Sequence, residues 1–131
     1  MKTKMEKIFA EISAGELVDK ITILEIKKAK ISNKKKLEDV NKELESLNQT
    51  FKKFIPNDSV IKNHMDQLRN INSKLWDIED GKRELEKKQD FSEKFVELAR
   101  NVYRFNDQRA KIKSEINKTL GSNIKEVKSY K

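Results

Sequence analysis

Apolar residues recur along most of this chain with helical spacing. Leu17, Ile21, Leu24 and Ile31 form one stripe, and Val40, Leu44, Leu47, Phe51 and Phe54 form a second in an unbroken 4-3-4-3 pattern. The two stripes do not join in phase, because Ile31 and Leu37 are six residues apart and Ser32-Asn33 lies between them. That mismatch predicts a helix break. Pro56-Asn57-Asp58 predicts a turn with Asp58 as the next cap. A third stripe then runs Ile61, Leu68, Ile71, Leu75, Ile78 and Leu85, and Lys87–Asp90 ends it. The last runs Phe91, Phe95, Leu98, Val102, Phe105, Ile112, Ile116 and Leu120, closed by Gly121 as a C′ residue. Ser13-Ala14-Gly15-Glu16 and Asp90-Phe91-Ser92-Glu93 have the spacing of capping boxes, and Ile12 and Leu17 that of a hydrophobic staple.

These stripes predict an all-α fold: an antiparallel bundle of four helices over 13–31, 34–55, 58–88 and 91–120, with coiled-coil-like packing. The whole chain, 1–131, reads as one domain. A straight helix from Ser13 to Ile55 would run about 65 Å, whereas 58–88 covers about 45 Å. The difference would leave Leu17–Ile26, the most apolar stretch, without a surface to pack on. Either the chain folds back at Ser32-Asn33 or that stretch pairs with a second copy. Fold-back sets levels: Glu25 beside Val40, Val40 beside Lys74, Lys74 beside Asn106, and Ser13 near Lys118. The termini are therefore expected to be neighbours, with Lys7–Ile12 and Asn123–Tyr130 as a possible short two-stranded element.

Composition supports the helical reading. Only three glycines and one proline interrupt 131 residues, too few turn formers for a sandwich or an α/β fold. No cysteine is present, which excludes disulfides and thiolate metal sites. Met1–Ile12 lacks the continuous apolar run of a signal peptide, and no stretch reaches the ~20 apolar residues of a membrane span. The expected location is cytoplasmic. The net charge of +8 invites a nucleic-acid reading. However, only five of the thirty basic residues are arginine, so most lack the fork that specific phosphate and base contacts favour. Lys27, Lys28, Lys30, Lys34, Lys35 and Lys36 would gather at the fold-back tip as a basic knob. It reads as a solvated turn, with an acidic partner, nucleic acid or an anionic surface as the alternative.

Neither a catalytic motif nor a cofactor or metal-ligand spacing is present, and no cofactor is expected. His64 sits in a seam position between Ile61 and Leu68 and reads as structural. Polar residues inside apolar faces are the stronger signal. Glu25 falls in the arc of Ile21 and Val18, Arg109 lies seven residues from both Val102 and Ile116, and Lys82 lies between Ile78 and Leu85. Buried charges need partners. The levels therefore predict a central polar cluster of Glu25, Trp76, Glu79, Arg104, Asn106 and Arg109. It is either a register-fixing ion-pair network or a ligand site between helices. Trp76 and Tyr103 flank their stripes as core-edge or interface residues.

Three stretches carry a family resemblance. They are Gly15-Glu16-Leu17-Val18-Asp19-Lys20-Ile21-Thr22-Ile23-Leu24-Glu25-Ile26-Lys27, then Leu75-Trp76-Asp77-Ile78-Glu79-Asp80, then Phe95-Val96-Glu97-Leu98-Ala99-Arg100-Asn101-Val102-Tyr103 with Asn106, Asp107 and Arg109. Together they resemble an uncharacterised bacterial domain-of-unknown-function family of short helical proteins, over nearly the whole chain. Members often carry a proline near the position of Asn33, which this chain lacks. Some are similar to neighbours of glycosyltransferase or surface-polysaccharide genes. The resemblance implies a helical fold and supplies no established catalytic residue to carry over. The function expected from these readings is a non-enzymatic, homodimeric helical interaction module. The competing expectations are a small-molecule-binding helical enzyme built on the polar cluster, and a weak nucleic-acid or anionic-surface binder acting through the lysine tip.

Overall fold

The computed structural model describes residues 5–129, which form a four-helix bundle and, among those residues, no strand. The helices are α1 (Ala14–Lys30), α2 (Lys34–Phe54), α3 (Ser59–Lys87) and α4 (Glu93–Leu120). The chain folds back at Ser32-Asn33, where Asn33 caps α2 by accepting from the Lys36 amide at 3.0 Å. Asp58 caps α3 through the Val60 amide at 2.6 Å, as its place after Pro56 predicts.

The capping box expected at Asp90 does not form, and α4 starts two residues later than predicted. The Asp90 carboxylate takes the Ser92 amide at 3.0 Å, inside a turn, and Ser92 becomes the N-cap without a side-chain bond. The turn is set by how α3 ends. Asp90 N donates to Leu85 O at 2.8 Å and Gln89 N to Glu86 O at 3.0 Å, with Gln89 at φ 53°. This is a Schellman-type close with glutamine in the left-handed position that glycine normally fills. At the end of α4 the same closure has Gly121 at φ 62°, as expected from the sequence.

The four helices are not equivalent. α1 packs against each of the other three, α3 packs along α4, and α2 makes close backbone contact only with α1. Leu17, Val18, Ile21 and Leu24 of α1 meet Val40 and Leu44 of α2, Ile55, Ile61 and Leu68, and Ile116 of α4 in one core cluster. The apolar stretch Leu17–Ile26 is thus buried by its own chain, and fold-back alone accounts for it. At about 25 Å α1 is much shorter than α3 and α4 at about 42 Å each. Their other halves, toward the 88–92 turn, extend past it as a two-helix hairpin. On α4 the buried residues are Lys113, Ile116 and Asn117; none precedes Lys113.

The termini meet, as the fold-back levels predict. Ala14 N donates to Ser122 Oγ at 3.1 Å, and Asn123 Nδ2 to Glu11 Oε2 at 2.7 Å. The expected two-stranded pairing is not formed among the described residues: the segments touch through side chains instead of a backbone ladder. Tyr130, which that pairing included, lies outside the described residues. No described helix is long and apolar enough to cross a membrane.

Candidate functional site: a closed polar centre at Asp19

The first turn of α1 sets the geometry. Gly15 brings α1 so close to α4 that an added Cβ would lie 2.5 Å from the Lys113 carbonyl oxygen. With no side chain in the way, Gly15 N donates to Asn117 Oδ1 at 2.7 Å. Glu16 N donates to Ser13 Oγ at 3.1 Å. Together with Ala14 N on Ser122, the first three free amides of α1 are satisfied, two of them from across the bundle. The reciprocal arm of the predicted capping box is redirected. The Glu16 carboxylate accepts from Lys113 Nζ at 2.7 Å instead of reaching back to Ser13.

One turn further, Asp19 points into the interior with its side chain fully enclosed. Arg109 grips it bidentately, Nε on Oδ1 at 2.9 Å and Nη2 on Oδ2. Asn72 of α3 donates to the same Oδ1 at 2.9 Å and also to Thr22 Oγ1 at 2.9 Å, and Thr22 donates to the Asp19 carbonyl. Lys113 Nζ lies 3.9 Å from Asp19 and donates to Glu16 and, at 2.8 Å, to Glu126 of the C-terminal tail. α1, α3, α4 and the tail are therefore tied at one node. Among the described residues no buried side-chain nitrogen or oxygen lacks a hydrogen-bond partner.

The electrostatics follow from these contacts. The hydrogen bonds that Arg109 donates to Asp19 hold the pKa of its guanidinium above the ordinary value, against the opposing effect of burial. Burial alone pushes the Lys113 ammonium down, but the Glu126 and Glu16 carboxylates outweigh it and leave it raised. The Lys113 contact holds Glu126 below the usual carboxylate range. Both cations stay charged at neutral pH and are matched by acids, the arrangement that makes a buried charge tolerable.

The six residues predicted as one cluster are distributed over several sites. Arg109 is central, as its stripe position implied, but its acid is Asp19 and not Glu25. Asn106 supports it at 3.4 Å. Glu25 turns toward α3, where Arg69 holds it bidentately at 2.9 and 3.2 Å while its third arm binds Asp66 at 2.7 Å. Hydrogen bonding from Glu25 raises Arg69 in turn. Arg104 is exposed and pairs along its own helix with Glu97 at 3.6 Å and Asn101 at 3.4 Å. Glu79 pairs with Lys82 at 3.4 Å, which supplies the partner expected for Lys82. Trp76 is half-buried on α3. The tip lysines Lys28, Lys30, Lys34, Lys35 and Lys36 are exposed and Lys27 is half-buried, grouped at the α1–α2 turn as predicted. His64 is half-buried and 3.3 Å from Gln67. Among the described residues no three His, Asp or Glu side chains are grouped to hold a metal ion.

Asp19, Asn72, Thr22, Lys113 and Asn117 are the central residues that the stripe reading missed. The usable signal was α1 itself. Its apolar residues occupy several faces of the helix instead of forming one stripe, so an acid outside the main stripe, as Asp19 is, can still be buried.

A second feature lies on the other side of α1. α2 and α3 diverge from the Pro56 turn without touching along their backbones, leaving a groove of about 940 Å³. Phe51, Phe54, Ile55, Ile61 and Met65 line it, with Lys52, Lys53 and Lys62 on its walls.

Comparison with known proteins agrees with the helical resemblance. The model of the family of unknown function DUF6165 matches residues 8–131, and the chain belongs to that family. No curated protein and no solved structure matches this chain.

Proposed function

We propose that this family member is a non-enzymatic helical interaction module that works as a homodimer, with the outer half of α4 as its contact surface. One observation carries the reading: α4 buries nothing before Lys113, yet this stretch carries apolar residues on two faces. Leu98 meets α3 at Gly81 and Phe105 meets it at Lys74, and with Phe95 and Val102 they stay half-buried. On the other face Val96 and Tyr103 are exposed, seven residues apart, with Ala99 between them. A two-helix hairpin is a thin support for so much apolar surface, and two such hairpins packed together make a four-helix core.

The polar centre supports the non-enzymatic part. Asp19 is fully enclosed and every acceptor around it is used, as in a network that fixes helix register. The enzyme reading rested on six residues gathered at one point, and they are not gathered. A second reading, weak contact of the tip with an anionic surface, has one observation in its favour. Lys34, Lys35 and Lys36 occupy the first turn of α2, which holds no acid, so they oppose the helix dipole. Such binding would weaken steeply with salt, and a low-salt gel shift without retardation removes it.

Sedimentation equilibrium across concentration tests the dimer. The expected result is twice the chain mass for the wild type and, for Val96→Glu/Tyr103→Glu, dissociation at concentrations where the wild type stays dimeric; both altered positions are exposed. A monomer at every concentration contradicts the reading.

A further inference from the structure

Residues 5–13, the described segment before α1, form no helix or strand, yet they are patterned. Met5, Ile8, Phe9 and Ile12 stand at i, i+3, i+4 and i+7, the anchor spacing of an amphipathic helix laid into a groove. All four are exposed, with Ile8 at 80% and Phe9 at 87%. Glu6, Lys7 and Glu11 fill the other face. The groove between α2 and α3 offers the complementary surface, an apolar floor of Phe51, Ile55, Ile61 and Met65 walled by lysines. Its acids are engaged elsewhere: Glu25 and Asp66 hold Arg69, and Asp58 caps α3. Lys52, Lys53 and Lys62 enter no ion pair among the described residues, so the walls present net positive charge.

We infer that residues 5–12 fold into a short amphipathic helix in the α2–α3 groove of a second copy. Ile8, Phe9 and Ile12 would lie on the floor, and Glu6 and Glu11 would meet the lysine walls. The occupant is a second copy: within its own fold the arm lies beside the C-terminal tail, with Glu11 accepting from Asn123, and leaves its own groove open. In the second copy's groove Glu11 exchanges that exposed bond for the lysine walls, to which the acids of the arm are complementary in charge. The inference rests on the reading of the chain as self-associating, but it uses a surface separate from Val96 and Tyr103.

Fluorescence anisotropy with a labelled peptide spanning Met5–Gly15 tests it, titrated with the full-length Val96→Glu/Tyr103→Glu chain and with wild type. Saturable binding is expected, weakened at least about ten-fold by Phe9→Ser in the peptide, by scrambling its sequence, and by Lys52→Glu/Lys53→Glu/Phe54→Ser in the groove. Lys62→Glu alone, at an exposed position, gives the same direction of change if the triple variant unfolds. Absence of saturable binding up to about 1 mM, equal binding of the scrambled peptide, or indifference to the groove variants overturns the inference. A wild type that sediments as a monomer at every concentration overturns both contacts. A dimer that Val96→Glu/Tyr103→Glu leaves undisturbed and Phe9→Ser in the full chain weakens would sink the α4 contact and leave the arm contact standing. A dimer that ignores the peptide would do the reverse.

Discussion

The half of the molecule around α1 and the outer half of the α3–α4 hairpin are built from similar stripes and differ in how they are held. Around α1 each stripe has a partner on several sides, and the helix is buried almost all round: Leu17, Val18, Asp19, Ile21, Thr22 and Leu24 are buried in near succession. In the outer hairpin each stripe has one partner, and the residues of its seam stay mostly half-buried. Burial of a given side chain stabilises in proportion to the area it loses to water. The same residue type is therefore worth more in the first region than in the second, and only the second leaves surface for another molecule.

Substitutions sharpen this contrast. The largest effect is expected at Ile21→Ala and Asp19→Ala. The first empties a site enclosed by three helices and should cost about 2–5 kcal/mol. The second strands Arg109, while Lys113 keeps Glu16 and Glu126, and should cost about 3 kcal/mol, the lower end for a broken buried pair because Arg109 still reaches water. Urea melts measure both. If either costs no more than Leu98→Ala in the outer hairpin, expected near 1 kcal/mol, the two regions are not distinct. Gly15→Ala comes next, at about 1–3 kcal/mol, since its Cβ would force α1 off the Lys113 backbone.

Acid acts on the tail of the first region. Glu126 is held below its ordinary value, so its bond to Lys113 is present above pH 4.5 and lost as pH falls through the lowered value. The Lys113 ammonium is raised, so its contribution is full below pH 10.5 and fades only above that. The expected acid response is release of the tail before the bundle unfolds, read as faster exchange or shifted resonances confined to residues 122–129. Glu126→Gln should remove that transition and leave the main one in place. The smallest effect is a gain: Gln89→Gly at the left-handed close of α3 should stabilise by about 1 kcal/mol in the same melts.

Much of this was legible beforehand, and the exceptions share a cause. The breaks at Ser32-Asn33 and Pro56, the caps at Ser13 and Asp58, and the closing Gly121 are local chemistry, and the sequence states local chemistry directly. The register between the first and last helices was also legible. Placing Ser13 near Lys118 puts Asp19 level with residue 112, between Arg109 and Lys113, where the polar centre is. The choice of acid failed because the wheel was read as though α1 had a single buried face. On that assumption Glu25 falls in the buried arc and Asp19, about 160° from Ile21, nearly opposite it. A helix packed against three others buries residues on several faces, Asp19 among them, and Glu25 turns to Arg69. The capping box at Asp90 failed for a related reason. The closing turn of α3 captures the residues that would begin α4, and sequence spacing does not rank two competing ends.

Amide hydrogen exchange, followed residue by residue as protein concentration is raised, tests the difference between the regions most directly. The account predicts that amides of α1 keep the same high protection throughout. Those of the outer hairpin, around 95–107, should exchange faster when dilute and slow as copies associate. Protection that is equal in the two regions at the lowest concentration and unchanged at the highest would contradict it.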